Sequence, residues 1–400
     1  MTQSEASRVR TRRGKPWATV VLGTLTLASA LSFAGALWWV LDLLAHFHAI
    51  YFWVAVVIGM VMAALRWWRQ VAWAGALMAC EGLLLLPLYS AYAGAEAPTP
   101  GAPRLRVVSY NILRSNPHTP DAAAHVAALD PDVVVLLEVT PEQLPVFTAA
   151  LPGWHVLAEP REDAFGIAVL TRRAPLGHAV LDLGSASMPV LEIEYEVAGR
   201  TVAIAAAHPP PPVSARLSHT RDRMLRGLSS WAAEQDGPAL VVGDLNATRW
   251  SVAMREILGT GPLRSAHRFG LQGTWPSFLG TLAVPIDQAL VAGALESVTQ
   301  TVEPAFGSDH RMLRVELELR WGVDITTSID VHPGPWTISR TTSCTPSTAC
   351  SCSIASRMTC SSSSTGSTSR PRPATRTGTA PASPTREGAP NTTPGAPARA

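Results

Sequence analysis

Six short segments each put a polar, metal-capable or proton-capable side chain directly after or within an apolar run. Val107 to Asn111 ends in Ser-Tyr-Asn, Val133 to Glu138 ends in an acid, and Val202 to His208 delivers one histidine before a proline run. Leu240 to Asn246 reads Leu-Val-Val-Gly-Asp-Leu-Asn, Asp287 follows Ile286 within an apolar run, and Gly307 to His310 reads Gly-Ser-Asp-His. A carboxylate at the end of a buried strand, as at Glu138, suits Mg²⁺ in a crevice. Asp244 and Asn246, two apart after a glycine, can aim two polar groups at one phosphate and its nucleophile. Asp287 is costly to bury without a partner such as a histidine, and Asp309 with His310 supplies an acid and a base. Taken singly, a strand-end Glu is more often a surface acid and a lone His a loop residue. Six in order between residues 104 and 320 can together build a metal-assisted site with an oriented histidine.

These residues need strands to hold them. Leu105 to Ser109, Val133 to Leu137, Ile167 to Leu170, Leu191 to Tyr195, Val202 to Ala206 and Ala239 to Val242 are short β-rich runs. Met312 to Leu319 reads as the last strand. Ala122 to Leu129, Glu142 to Ala150 and Ser218 to Glu234 carry helical periodicity. The strands are nearly all apolar, which requires cover on both faces and predicts a layered α/β or α+β sandwich.

The hydrophobic fraction of 47% against 16% charged residues is concentrated in the first hundred positions. After the basic cluster Arg8 to Lys15 come three apolar runs: Trp17 to Leu41, Ala49 to Leu65, and Val71 to Tyr92 with Glu81 inside it. The first and third are long enough for a membrane-spanning helix of ~20 residues and the second is short but adequate, and the first exceeds the core of a cleaved signal peptide. Residues 1–93 therefore read as an anchor of three transmembrane helices. Arg66 and Arg69 match the N-terminal basic cluster, so the positive-inside bias puts both in the cytoplasm and everything after Tyr92 outside. Glu81 is expensive within a span and has no assigned role. Residues 94–103 form a Pro/Gly/Ala-rich linker, 104–320 the catalytic domain, and 321–400 a Ser/Thr/Pro/Arg-rich tail expected to be disordered.

Charge narrows the substrate. Residues 104–320 hold 18 Lys and Arg against 23 Asp and Glu, so the domain lacks the basic footprint that supplies non-specific nucleic-acid affinity. An acidic domain held close to a bilayer meets lipids constantly.

The ordered set Ser-Tyr-Asn, strand-Glu, strand-His, Gly-Asp-x-Asn, Ile-Asp and Ser-Asp-His resembles the endonuclease/exonuclease/phosphatase superfamily, and Gly166 to Arg172 is similar to it as well. The resemblance implies a four-layer α/β sandwich, two packed β-sheets flanked by helices. It implies that Glu138 binds Mg²⁺, or Mn²⁺ in its place, with Asn111 and Asp309 beside it, and that Asp244 positions or activates the attacking water. Asn246 and His208 would bind the scissile phosphate, and His310, oriented by Asp287, would be the general acid/base. Leu137 stands where many members have Gln. The carboxylate that some nucleases pair with the histidine matching His208 has no clear counterpart, with Glu162 and Asp163 as candidates. The anchored architecture resembles the VanJ-like type, which implies a membrane lipid or lipid-linked phosphate substrate such as undecaprenyl pyrophosphate. An extracytoplasmic nuclease, a sphingomyelinase- or phosphoinositide-type phosphodiesterase and, last, a non-catalytic binding module are the alternatives.

Overall fold

The computed structural model describes residues 15–90, 98–185, 187–267 and 269–320. Four helices come first: α1 (Lys15–Ser32), α2 (Trp39–Leu44), α3 (His48–Ala64) and α4 (Trp68–Ser90), with a 3-10 turn at Ala45–Phe47. The next part of the chain runs β1 (Arg104–Asn111), α5 (Thr119–Ala128), β2 (Val133–Leu137), α6 (Leu144–Ala150), β3 (His155–Glu159), β4 (Ile167–Thr171) and β5 (Gly177–Leu181). It continues through β6 (Val190–Val197), β7 (Arg200–Ala206), α7 (Ala215–Ala233), β8 (Ala239–Asp244), α8 (Val252–Thr260) and β9 (Arg264–Ser265). It ends with β10 (Asp287–Ala292), β11 (Leu295–Val302) and β12 (Leu313–Leu319).

Side-chain alternation along the strands decides the layering. Val107, Val133, Val135 and Val169 meet Ile193, Ile204, Leu240 and Val242 in one apolar layer between two sheets. The alternate residues Val108, Tyr110, Val134 and Leu136 turn outward onto Ala122, Val126 and Phe147 of α5 and α6. On the far side Ala203, Ala205 and Val241 pack on Met224, Leu225 and Leu228 of α7 and on Met254 and Ile257 of α8. The result is helices, sheet, sheet, helices. Each fully buried Val or Leu contributes roughly 1.5–3 kcal/mol of transfer free energy.

Both sheets have six strands, in the orders β11-β12-β1-β2-β4-β3 and β5-β6-β7-β8-β10-β9. Each has one parallel pair at its centre, β1 with β2 and β7 with β8, and antiparallel strands around it. Register brings the ends of β1 and β8 beside the starts of β12 and β10, through Ser109 against Leu313 and Asp244 against Asp287. One rim of the sandwich therefore collects the ends of β1, β2, β7 and β8. The edge strands β3 and β5 were not expected from sequence, because both are partly exposed along their length and lack the continuous apolar run of their neighbours.

The anchor departs from the expected three long spans. Two stretches, Trp39–Ala64 and Trp68–Tyr89, are long and apolar enough to cross a membrane, and a third apolar helix, Pro16–Ser32, is shorter. The uncharged run from Trp17 to Leu41 is not one helix: α1 stops at Ser32 and turns follow before α2. At that corner the backbone passes so close to Asp42 that a Cβ on Gly35 would lie 2.9 Å from the Asp42 Cα. Ala18, Leu22, Ile58, Met62 and Ala74 knit α1, α3 and α4 together, while Val20, Leu27, Val57, Met60, Leu83 and Leu86 face outward. Glu81, fully buried, accepts from or pairs with His48 through Oε2 and Nδ1 at 2.8 Å, which gives it a helix-packing partner. The bundle is apolar outside, and its apolar interior encloses the His48–Glu81 pair. The basic cluster before Lys15, residues 94–97 of the linker and the tail after Arg320 lie outside the described residues.

Candidate active site

Strand ends deliver the chemistry. Asn111 closes β1 fully buried, and its Nδ2 donates to Glu138 Oε1 at 3.1 Å and to Asp244 Oδ2 at 3.2 Å. Glu138 follows β2 with φ of 57°, a left-handed backbone in which a long side chain is strained by roughly 1–3 kcal/mol. Asn246 has φ of 48°, which costs an Asn less because its short amide bonds locally. Its backbone N–H donates to Asp244 Oδ1 at 2.9 Å and its Nδ2 to the Pro209 carbonyl at 3.0 Å. Gly243 has to be glycine: its φ is 150°, and a Cβ there would stand 2.0 Å from the Ala207 carbonyl oxygen. That close approach holds the Gly-Asp-x-Asn turn against the strand carrying His208.

Asp244 Oδ2 is the point of convergence. His208 Nε2 lies 3.4 Å from it and His310 Nε2 3.6 Å. On its other side the His310 ring bonds Asp287 Oδ2 through Nδ1 at 2.9 Å. The last segment is fixed by Ser308, whose Oγ donates to the Asn111 carbonyl at 2.7 Å and accepts from the His310 N–H at 3.0 Å. Burial works against charge on His310, but the carboxylates of Asp287 and Asp244 outweigh it and push its pKa up to about 10. Burial likewise opposes the charge of Asp244, yet the neighbouring imidazoles, His310 first and then His208, hold it below the ordinary carboxylate value.

Glu138, His208, Asp244, Asn246 and His310 line a cavity of about 480 Å³ that also takes in Asp309 and Trp275, whose indole Nε1 donates to Asp309 Oδ2 at 3.0 Å. The opposite wall comes from the N-terminal helices: Trp39, Leu43, His46 and Phe47 line the same cavity. Asp42 fastens this segment down. Its Oδ2 meets Arg221 Nη2 at 2.8 Å, both side chains being buried, and its Oδ1 accepts from the Val252 N–H at 2.8 Å. Arg221 in turn donates to the Asn246 carbonyl at 3.3 Å. Trp250 Nε1 donates to the Leu84 carbonyl at 3.2 Å, so the loop after Asn246 also grips α4.

All eight residues singled out from sequence fall at this rim. Asn111, Glu138, Asp244, His208, His310 and Asp287 form one connected set, Asn246 is tied to it through Asp244, and Asp309 joins through the cavity wall. The suggested His208 partners do not serve. Asp163 is exposed and pairs with Arg161 at 2.9 Å, Glu162 is exposed, and it is Asp244 that faces His208. Asp42 and His46 were missed, and their signal was polar residues interrupting an apolar stretch.

Two carboxylates, Glu138 and Asp244, converge on the single Asn111 amide, an oxygen-rich donor set of the kind that hard divalent cations prefer. The tightest acid and imidazole cluster among the described residues is Asp244, Asp287 and His310, with ligand atoms within 4.8 Å of one another. Within that trio His310 Nδ1 is already engaged by Asp287 Oδ2 at 2.9 Å. The residues around Asn111 fit a cation better, and the trio reads as a carboxylate-histidine pair facing Asp244.

A helix-sheet-sheet-helix sandwich whose rim gathers an acid, two asparagine amides and a carboxylate-backed histidine defines a metal-dependent hydrolase of phosphate esters. The model of the Endonuclease/Exonuclease/phosphatase family matches residues 108–310, and the chain belongs to that family. No curated protein sequence matches it. Among solved structures it is similar to a family protein from Bacteroides thetaiotaomicron, at 18% identity and a TM-score of 0.48, covering 55% of this chain and 99% of that one. It is also similar to a mannosyl-6-phosphatase of the same organism, at 18% identity, a TM-score of 0.46 and coverage of 53% and 99%. A humanized TDP2 from D. rerio matches at 15% identity and a TM-score of 0.46, covering 54% and 99%.

Proposed function

We propose that the protein is a membrane-anchored phosphoesterase, VanJ-like in architecture, that hydrolyses a lipid-linked phosphate or pyrophosphate outside the cytoplasm, with undecaprenyl pyrophosphate as the best-fitting example. One observation carries this reading: Trp39, Leu43 and Phe47 of the apolar anchor wall the cavity that holds Glu138, Asp244 and His310. A substrate with an apolar chain finds a matching surface beside the reacting groups. The net acidic domain disfavours a nuclease.

In this mechanism Glu138, Asn111 and Asp309 hold Mg²⁺, or Mn²⁺ in its place. When bound, the ion polarises a phosphoryl oxygen and offsets the charge that builds up there. His208 and Asn246 bind the scissile phosphate. Asp244, its Oδ1 fixed by the Asn246 N–H, orients the attacking water with its other oxygen. The water oxygen bonds to phosphorus and passes a proton to Asp244 Oδ2 as the bond to the leaving oxygen breaks, and His310 gives that oxygen a proton. Asp287 keeps the imidazole upright and stabilises its charged form. Phosphate release by the purified full-length chain with Mg²⁺ tests the reading, with a polyprenyl pyrophosphate, DNA and sphingomyelin offered in parallel. Turnover of the lipid pyrophosphate above the other two is the expected result, and preference for DNA would overturn it.

A further inference from the structure

The family's motif residues leave His46 unexplained. It sits in the 3-10 turn between α2 and α3, is buried, and lines the cavity with Asp244 and His310. Its Nδ1 lies 3.3 Å from the backbone N of Thr248 and 3.0 Å from Thr248 Oγ1. A backbone N–H can only donate, so Nδ1 is an acceptor and the proton of the neutral ring sits on Nε2. That Nε2 is itself buried and has no hydrogen-bond partner among the described residues. A buried donor left unpaired is unfavourable, and that penalty is removed when an anionic oxygen enters the cavity. Thr248 follows Asn246 by two positions, so the group that fixes the His46 tautomer belongs to the phosphate-binding loop itself.

We propose that the anchor segment from Trp39 to Phe47 is a substrate subsite, in which His46 Nε2–H binds the second phosphate of a pyrophosphate and Trp39, Leu43 and Phe47 hold the first part of its apolar chain. This rests on the lipid-pyrophosphate reading above and adds a residue from outside the family's domain to the active site. His208 and Asn246 already serve one phosphate. His46 is an additional donor, and the cavity of about 480 Å³ has room for more than a single phosphate.

The test uses the full-length chain in detergent micelles with Mg²⁺ and compares a polyprenyl pyrophosphate with the matching monophosphate. His46→Asn keeps an acceptor for Thr248 and loses the Nε2 donor, whereas His46→Gln restores a donor near the Nε2 position. His46→Asn should raise KM for the pyrophosphate at least about tenfold while changing KM for the monophosphate less than about threefold, and His46→Gln should recover part of the loss. Equal losses on both substrates, or none on either, would overturn the subsite. Inorganic pyrophosphate competing against a water-soluble aryl phosphate supplies an arm independent of the lipid. If the wild type ignores the lipid but His46→Asn still weakens pyrophosphate inhibition by about tenfold, the lipid reading falls and the His46 contact stands. If inhibition is unchanged by His46→Asn, the contact itself is refuted.

Discussion

His310 Nδ1 lies 2.9 Å from Asp287 Oδ2, inside a rim where both side chains are almost fully buried. The pair fixes which face of the imidazole is turned toward Asp244. Removing the ring by His310→Ala should reduce turnover by about 10² to 10⁴ with little change in Mg²⁺ dependence, the usual range for lost general acid/base catalysis. Asp287→Asn should give a milder version of the same defect. Unchanged turnover in the His310 variant would refute the assigned role.

Glu138→Gln acts on a different quantity. One anionic ligand is lost while shape and the Asn111 contact are kept, so the Mg²⁺ concentration for half-maximal activity should rise as activity falls. A titration of Mg²⁺ against phosphate release separates this from the His310 effect, and an unaltered metal requirement would remove Glu138 from the metal site.

The raised pKa of His310 sets a stability profile. Its folded value, about 10, stands above the ordinary value of about 6.5, so the protonated ring favours the folded state. That contribution is complete below pH ~6.5 and is lost as pH rises through about 10. Thermal melts of the full-length chain in EDTA should therefore show a midpoint that declines from neutral to alkaline pH. Asp287→Asn should flatten the decline, and an equal slope in that variant would contradict the assignment.

Asp42 and Arg221 tie the anchor to the catalytic domain through a buried ion pair. Breaking one partner of such a pair costs roughly 3–5 kcal/mol, and Asp222, 2.7 Å from Arg221 Nη2, should keep Asp42→Ala at the lower end. Asp42→Leu combined with Arg221→Met should recover much of that stability. Additive losses across the cycle would mean that the two side chains do not interact.

Topology has its own test. A reporter fused after Arg320 should be active only in a form that works outside the cytoplasm, given the basic residues Arg66 and Arg69 and the N-terminal cluster. Activity of a cytoplasm-only reporter at that position would reverse the assigned orientation.

The central strands were legible because β1, β2, β7 and β8 are buried on both faces and read as unbroken Val, Leu, Ile and Ala runs. The rim residues were legible for a related reason: Asn111, Glu138, His208 and Asp244 each end such a run. The wall supplied by the anchor was not. Asp42 and His46 find Arg221, Val252 and Thr248 only through contacts between residues about 180 to 210 positions apart, and no local periodicity encodes such pairs. The end of α1 was hidden for a different reason: the run from Trp17 to Leu41 is uncharged throughout, and its bend is marked only by the close approach of Gly35 to Asp42.

Asp42, His46 and Leu84 hold the cleft directly to the N-terminal helices, so on the proposed membrane-anchored reading the cleft sits at the bilayer itself. For a lipid substrate of the proposed kind, search would then be lateral and two-dimensional. Its relevant concentration is a mole fraction of lipid, and diluting the substrate lipid with inert lipid would slow turnover even when the bulk amount of both enzyme and substrate stays the same.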